Sequence, residues 1–251
     1  LSVAWIASKA YDLARGALPL AMRLRSFTFA QYAEDTLLYQ LLPQREGFYV
    51  DVGAYHPWQG SNSYKLYLRG WRGITVEPNP EVAPLFRRLR PRDIHLNLGV
   101  SADAGELAYH HFDDAKLNSF DSAQAGRMNC AVRKTTAVPC LPLSDIVARH
   151  APGNRIDLLS IDCEGLDFEV MESLDWQSTR PCVLVIEDFE QFQLNAKSGA
   201  AGRIRSFLTA HGYALLSQAM FSFLYLDRSA VGRSNGRGFR LDHSQARILA
   251  G

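Results

Sequence analysis

The sequence predicts an α/β fold, a mostly parallel sheet with helices on both faces. Three features predict it. Apolar strand-like runs alternate with helical stretches, a pattern that gives parallel pairing through right-handed crossovers. The runs at 156–161 and 182–186 are predominantly apolar, as strands are when both faces are buried. Acidic residues and a glycine stand where the runs stop, and that edge is where an open α/β sheet binds its ligands.

The first strand is expected at 48–52, "FYVDV", followed by a helix at 64–69. A second strand at 73–77, "GITVE", leads through Pro-Asn-Pro into a helical stretch at 81–89. The third strand is read at 94–100 and the fourth at 156–161, "IDLLSI", where Gly165 breaks the strand before a helix at 166–174. The fifth strand, 182–187, precedes a helix at 201–210, and the runs 213–217 and 221–226 lie close enough to form a terminal hairpin. Between strands three and four lies an insertion near 105–137, rich in polar and small residues, with His110 and His111 in it. It is expected to carry an extra hairpin and a substrate loop.

Composition sets the bounds. A chain of 251 residues with 47% apolar and 21% charged residues is an ordinary globular chain with a sizeable core. There is no internal repeat and no convincing linker, so a single domain is expected over 31–227. An amphipathic helical segment at 1–30 precedes it and a basic tail at 228–251 follows. A net charge of +1 gives no general attraction to nucleic acid. No apolar run approaches the roughly 18 residues of a membrane span. The basic ends leave room for peripheral contact with anionic lipid or glycan, and the N-terminal helix for a dimer contact. The four cysteines have neither Cys-x-x-Cys nor Cys/His metal spacing, so reduced thiols and a cytoplasmic location, with room for peripheral contact at the inner membrane face, are expected.

The first loop narrows the ligand. Asp51, Gly53 and Ala54 end the first strand, and Gly53 lets the backbone turn sharply and approach a ligand. Glu77 ends the second strand, placed to accept hydrogen bonds from two ribose hydroxyls. A dinucleotide needs a Gly-x-Gly-x-x-Gly turn for its pyrophosphate, but Tyr55, His56 and Pro57 follow here. The acidic Asp51 suits a cationic ligand such as the sulfonium or ammonium of S-adenosylmethionine.

Asp162 ends the fourth strand, and Glu187 and Asp188 end the fifth. Strands about 4.8 Å apart would bring them to one edge. There Asp162, Glu187 and Asp188 form a candidate Mg²⁺ or Mn²⁺ site that could bind a sugar diol and acidify the hydroxyl. The same acids equally suit the cofactor's ammonium, helix capping or solvent. Asp162, Glu187 and His56 are the candidate catalytic groups, His56 as general base. Cys163, lacking a partner base, reads as a small buried hydrophobe.

The ordered set "FAQYAEDTLL", "FYVDVGAYHPWQGSNSYKLYLRGWRGITVEPNP", "LNLGVS", "LLSIDCEGLDFEVMESLDW" and "PCVLVIED" resembles the FkbM family of S-adenosylmethionine-dependent methyltransferases. The resemblance implies a Rossmann-like class I methyltransferase fold, seven-stranded and mostly parallel, with an antiparallel last strand. It implies O-methylation of a sugar, glycan, glycolipid or related natural product. It implies that Asp51, Gly53, Ala54 and the neighbouring Tyr55 line the methionine end and that Ser61 and Asn62 close the loop. Glu77 would hold the ribose, with Pro78, Asn79, Val100 and Ser101 on the adenine side. Asp162 would lie near the methyl donor and Gln31 would cover the site. The competing expectations are a nicotinamide-dependent oxidoreductase and a non-catalytic glycan-binding module on the same fold.

Overall fold

The computed structural model describes residues 27–121, 131–197 and 199–230. The expected N-terminal helix and most of the basic tail lie outside these residues. In chain order the elements are α1 (Glu34–Leu41), β1 (Phe48–Val52), α2 (Tyr64–Arg69), β2 (Arg72–Val76), α3 (Ala83–Leu89), β3 (Ile94–Leu96), β4 (Gly99–Val100), β5 (Gly105–Phe112) and β6 (Val132–Leu141). They continue with α4 (Leu143–His150), β7 (Leu158–Ile161), α5 (Asp167–Glu172), β8 (Val183–Glu187), α6 (Phe189–Lys197), α7 (Arg203–Ala210), β9 (Tyr213–Ala219) and β10 (Ser222–Asp227).

Seven strands form one sheet in the order β3-β2-β1-β7-β8-β10-β9. Every pair from β3 to β8 is parallel, while β10 runs antiparallel to β8 and β9. The chain winds outward from β1 through β2 to β3, then returns to place β7 on the other side of β1. The strand order therefore reverses between β1 and β7, where this class of sheet opens a crevice. This is the Rossmann-like class I methyltransferase topology, with an antiparallel last strand.

Alternation along the strands builds two cores. Val50, Val52, Leu159 and Ile161 face one side and pack with Leu143, Ile146, Val170, Ile204 and Leu208 from the helices there. Tyr49, Leu158, Val183 and Val185 face the other side and pack with Leu38, Leu41, Leu66 and Trp71. Because successive strand side chains point to opposite faces, Asp51 and Ser160, paired in register on β1 and β7, both belong to the second face.

The expected third strand is two elements. β3 stops at Leu96, and Asn97 donates to the carbonyls of Glu77 (2.8 Å) and Pro78 (2.9 Å), which turns the chain across the end of β2. Gly99–Val100 then joins a second, three-stranded sheet, β4-β6-β5. Its β5 and β6 are the antiparallel pair expected in the insertion. Helices α1, α4 and α6 are absent from the sequence reading.

Candidate functional site

A cavity of 410 Å³ opens at the carboxyl ends of β1, β2 and β7. Its floor is the β1 turn. Gly53 sits at φ +74°, and a Cβ built there would lie 1.7 Å from the carbonyl oxygen of Asp162. Only glycine lets the ends of β1 and β7 come this close. Both Gly53 and Ala54 donate their N–H groups to the Val76 carbonyl at 3.0 Å, which pins the turn to β2.

Beside the turn stands Glu77. Its Oε2 accepts the Tyr55 N–H at 2.9 Å and its Oε1 the Asn79 N–H at 2.8 Å. Tyr55 takes up φ +51°, a conformation that disfavours side chains, and its hydrogen bond to Glu77 offsets that strain. Burial pushes the Glu77 carboxyl up to about 7, although both backbone donors favour the anion.

Across the cavity, Asp162 lies at the end of β7 with Asp167 and Glu187; one oxygen of each falls within 4.8 Å of the others. Burial, and the negative charge of its neighbours, raise both Asp162 and Glu187, and a hydrogen bond joins them. The second Glu187 oxygen, Oε2, is buried without a partner. Asp167 accepts the Cys163 N–H at 2.8 Å and the Gly165 N–H at 3.1 Å, tying down the loop after β7.

A strap from the N-terminal side covers the cavity. Thr28, Phe29, Ala30 and Gln31 line it, and Ala30 bridges Gly60. Asp35 holds the strap by accepting Thr28 Oγ1 (2.7 Å) and the Phe29 N–H (2.8 Å). Glu34 ties it to β10 through Ser222 Oγ at 2.7 Å.

Of the residues expected at the site, Gln31, Gly53, Tyr55, Glu77, Pro78, Val100 and Asp162 line this cavity. Others stand behind it. Ala54 is buried beneath the turn. Asn79 accepts the Glu81 N–H at 3.0 Å, and Ser101 bonds the Asp103 carbonyl at 2.7 Å. Asn62 reaches Ser160 at 3.2 Å and Ser61 accepts the Tyr64 N–H at 3.1 Å, so both shape the loop.

Asp51 points to the opposite face of β1, where Ser63 donates to it and Arg90 lies near. His56 is no part of the lining; its Nδ1 accepts the Gln59 N–H at 3.2 Å and holds the loop tip. Asp188 does not join Asp162 and Glu187. It lies one residue beyond Glu187, turns the other way, and caps α6 by accepting the Gln191 N–H at 2.8 Å. Asp167 takes the third place in the acidic group.

Sequence reasoning missed the buried Arg90. It donates to Asp93 (2.6 Å), to Tyr49 Oη (2.9 Å), to Ser63 Oγ (2.8 Å) and to the Pro57 carbonyl (3.3 Å). Its segment, "RRLRPRD", reads only as a charged helix end. It also missed Tyr109 and Phe120, cavity-lining aromatics from the inserted sheet and the segment that follows β5.

Comparison with known proteins bears on this site. No curated protein matches the sequence. Among solved structures, a putative methylase from Haemophilus influenzae is 13% identical, with 77% of this chain and 87% of that one covered at a TM-score of 0.41. A putative O-methyltransferase from Klebsiella pneumoniae is 10% identical, covering 86% and 94% at 0.41. An O-methyltransferase from Bacillus cereus in complex with SAH is 13% identical, covering 86% and 88% at 0.41. The family model of the methyltransferase FkbM domain matches residues 51–215, from the acid of the first strand into β9, taking in Gly53, Glu77, Asp162 and Glu187. The chain belongs to the FkbM methyltransferase family.

Proposed function

We propose that the protein transfers a methyl group from S-adenosylmethionine to a hydroxyl of a sugar, glycan, glycolipid or related natural product. The observation that carries this reading is Glu77, a buried carboxylate fixed by two backbone donors on the wall of a cavity floored by Gly53. A carboxylate so held accepts hydrogen bonds from a ribose diol. Bound S-adenosylmethionine supplies an electrophilic methyl group, which passes to the hydroxyl oxygen as the sulfur keeps the electron pair of its bond. The chain aligns the acceptor and takes its proton. Asp162, which lines the cavity at the end of β7, is placed to receive that proton. Support for a hydroxyl acceptor is this acid on the cavity wall at the end of β7; a sugar acceptor rests on the family resemblance.

Calorimetry tests the cofactor role. Glu77→Ala removes both hydrogen bonds to the ribose, each worth about 1.5–3 kcal/mol when the acceptor is charged. Binding of S-adenosylhomocysteine is expected to fall by about two to four orders of magnitude, and wild-type affinity in the variant would remove Glu77 from the site. Because the ribose favours the ionised form and the free carboxyl titrates near 7, wild-type affinity should rise about tenfold between pH 6 and pH 8.

A divalent-cation reading of the same place is favoured by the oxygens of Asp162, Asp167 and Glu187 and the unpartnered Glu187 Oε2. These are the right donors for Mg²⁺ or Mn²⁺, and an ion there would acidify the acceptor hydroxyl. Asp167 is already engaged by two backbone N–H donors and Asp162 by Glu187, so the expected result is that transfer survives EDTA. Loss on chelation, with recovery on adding Mg²⁺ or Mn²⁺, would move the assignment to the metal.

A further inference from the structure

The inserted sheet is expected to serve the acceptor, yet one of its side chains reaches the cofactor wall. Tyr109 on β5 is only 4% exposed and lines the cavity, with its hydroxyl 3.5 Å from Glu77 Oε1. The Asn118 side chain bonds the same hydroxyl, and Asn118 Oδ1 is anchored by the Phe112 N–H at 2.9 Å. The Tyr109 ring lies 4.8 Å from Phe120, centroid to centroid. Phe120 rests on Gly99, where a Cβ would come within 2.4 Å of the ring. Ser119 pairs both ways with His110 (2.9 and 3.2 Å) and reaches the Glu164 carbonyl at 3.3 Å, which ties this wall to the loop after β7.

We propose that Tyr109 is a cofactor-positioning residue: its hydroxyl, held by Asn118, orients the Glu77 carboxylate toward the ribose, and its ring with Phe120 walls the adenosine. The other donors to Glu77 are backbone N–H groups of the Rossmann-like core; Tyr109 is a side-chain donor sent in from the second sheet. The insertion therefore does part of the work of binding the cofactor. The inference rests on Glu77 as the ribose holder. The titratable groups facing Glu77 are Tyr109 from β5, Tyr55 from the loop after β1, and Asp162 and Cys163 from the end of β7.

The experiment is calorimetric titration of the whole protein with S-adenosylhomocysteine across pH 6 to 8, for wild type, Tyr109→Phe, Phe120→Leu and Glu77→Ala. A long hydrogen bond lies at the weak end of its class, so Tyr109→Phe is expected to bind about 3- to 10-fold more weakly. Its pH midpoint should move upward, because a donor to the anion is lost, while the unfolding temperature of the free protein holds. Phe120→Leu should weaken binding without moving the midpoint. A Tyr109→Phe variant with wild-type affinity and midpoint overturns the inference. So does equal weakening at every pH with a lowered unfolding temperature, which would make the residue structural. If Glu77→Ala loses binding while Tyr109→Phe does not, the function stands and this inference falls. If wild type fails to bind, both fall.

Discussion

Gly53→Ala should remove both cofactor binding and much of the stability of the fold. At φ +74° an alanine pays a left-handed penalty of about 1–2 kcal/mol. Its Cβ would also lie 1.7 Å from the Asp162 carbonyl oxygen, a backbone atom that cannot swing aside. β1 and β7 would have to part at their carboxyl ends, breaking the hydrogen bond from the Asp162 N–H to the Val52 carbonyl, 3.0 Å long. Such overpacking adds about 1–3 kcal/mol. The summed loss of about 2–5 kcal/mol should lower the unfolding temperature on the order of 10 °C for a domain of this size. The displaced strand ends carry Asp162 on one side and the turn to Tyr55 on the other, so S-adenosylhomocysteine binding should become undetectable by calorimetry. Full retention of both would mean that the crevice floor lies elsewhere. Gly60, with nothing closer than 3.8 Å to a built Cβ but also at φ +70°, is the control: its alanine variant should show the conformational penalty alone.

How far the sequence carries depends on whether a signal is local. β1 and α2 fall on the expected residues 48–52 and 64–69, since the apolar run and its flanking residues suffice to define them. Gly53 and Glu77 are likewise legible, because strand ends mark the ligand edge of such a sheet. The break after Leu96 is not legible, because it depends on Asn97 bonding carbonyls some twenty residues earlier. The assignment of Asp188 to the acid group fails on geometry that one residue decides: a step past Glu187 turns the side chain from the strand edge to the α6 cap. The charge of Asp51 suggests a cofactor contact, but period two puts it on the face of Tyr49, behind the cavity. Arg90 acts on Ser63, Pro57 and Tyr49, 27 to 41 positions away, and Tyr109 on Glu77, 32 away, and only the folded chain shows such pairs.

Arg90→Met should be the most damaging change away from the cavity. Arg90 is 1% exposed, and its guanidinium donates to Asp93, Tyr49, Ser63 and Pro57, while Ser63 in turn bonds Asp51. Methionine fills much of the volume but leaves two buried carboxylates without their cation, a loss of about 3–5 kcal/mol. The sign of the pH dependence follows from those acids. Burial already raises Asp51 and Asp93, and Arg90 pulls both back down; without it both rise further. A carboxyl whose folded-state pKa exceeds its unfolded value favours the fold below the unfolded pKa, and that contribution is lost as pH rises through the folded value. The gap in unfolding temperature between wild type and variant should therefore be widest near pH 8 and narrow toward pH 5. A gap that stays constant would trace the loss to packing instead of charge. Cofactor affinity should fall with stability at neutral pH, because Arg90 holds Pro57 and Ser63 at either end of the loop that carries Trp58 and Gly60 to the cavity. Arg90→Lys keeps the charge but not the fork of donors, so it should recover part of the stability and less of the affinity, separating the ion's role in the core from its role in shaping the loop.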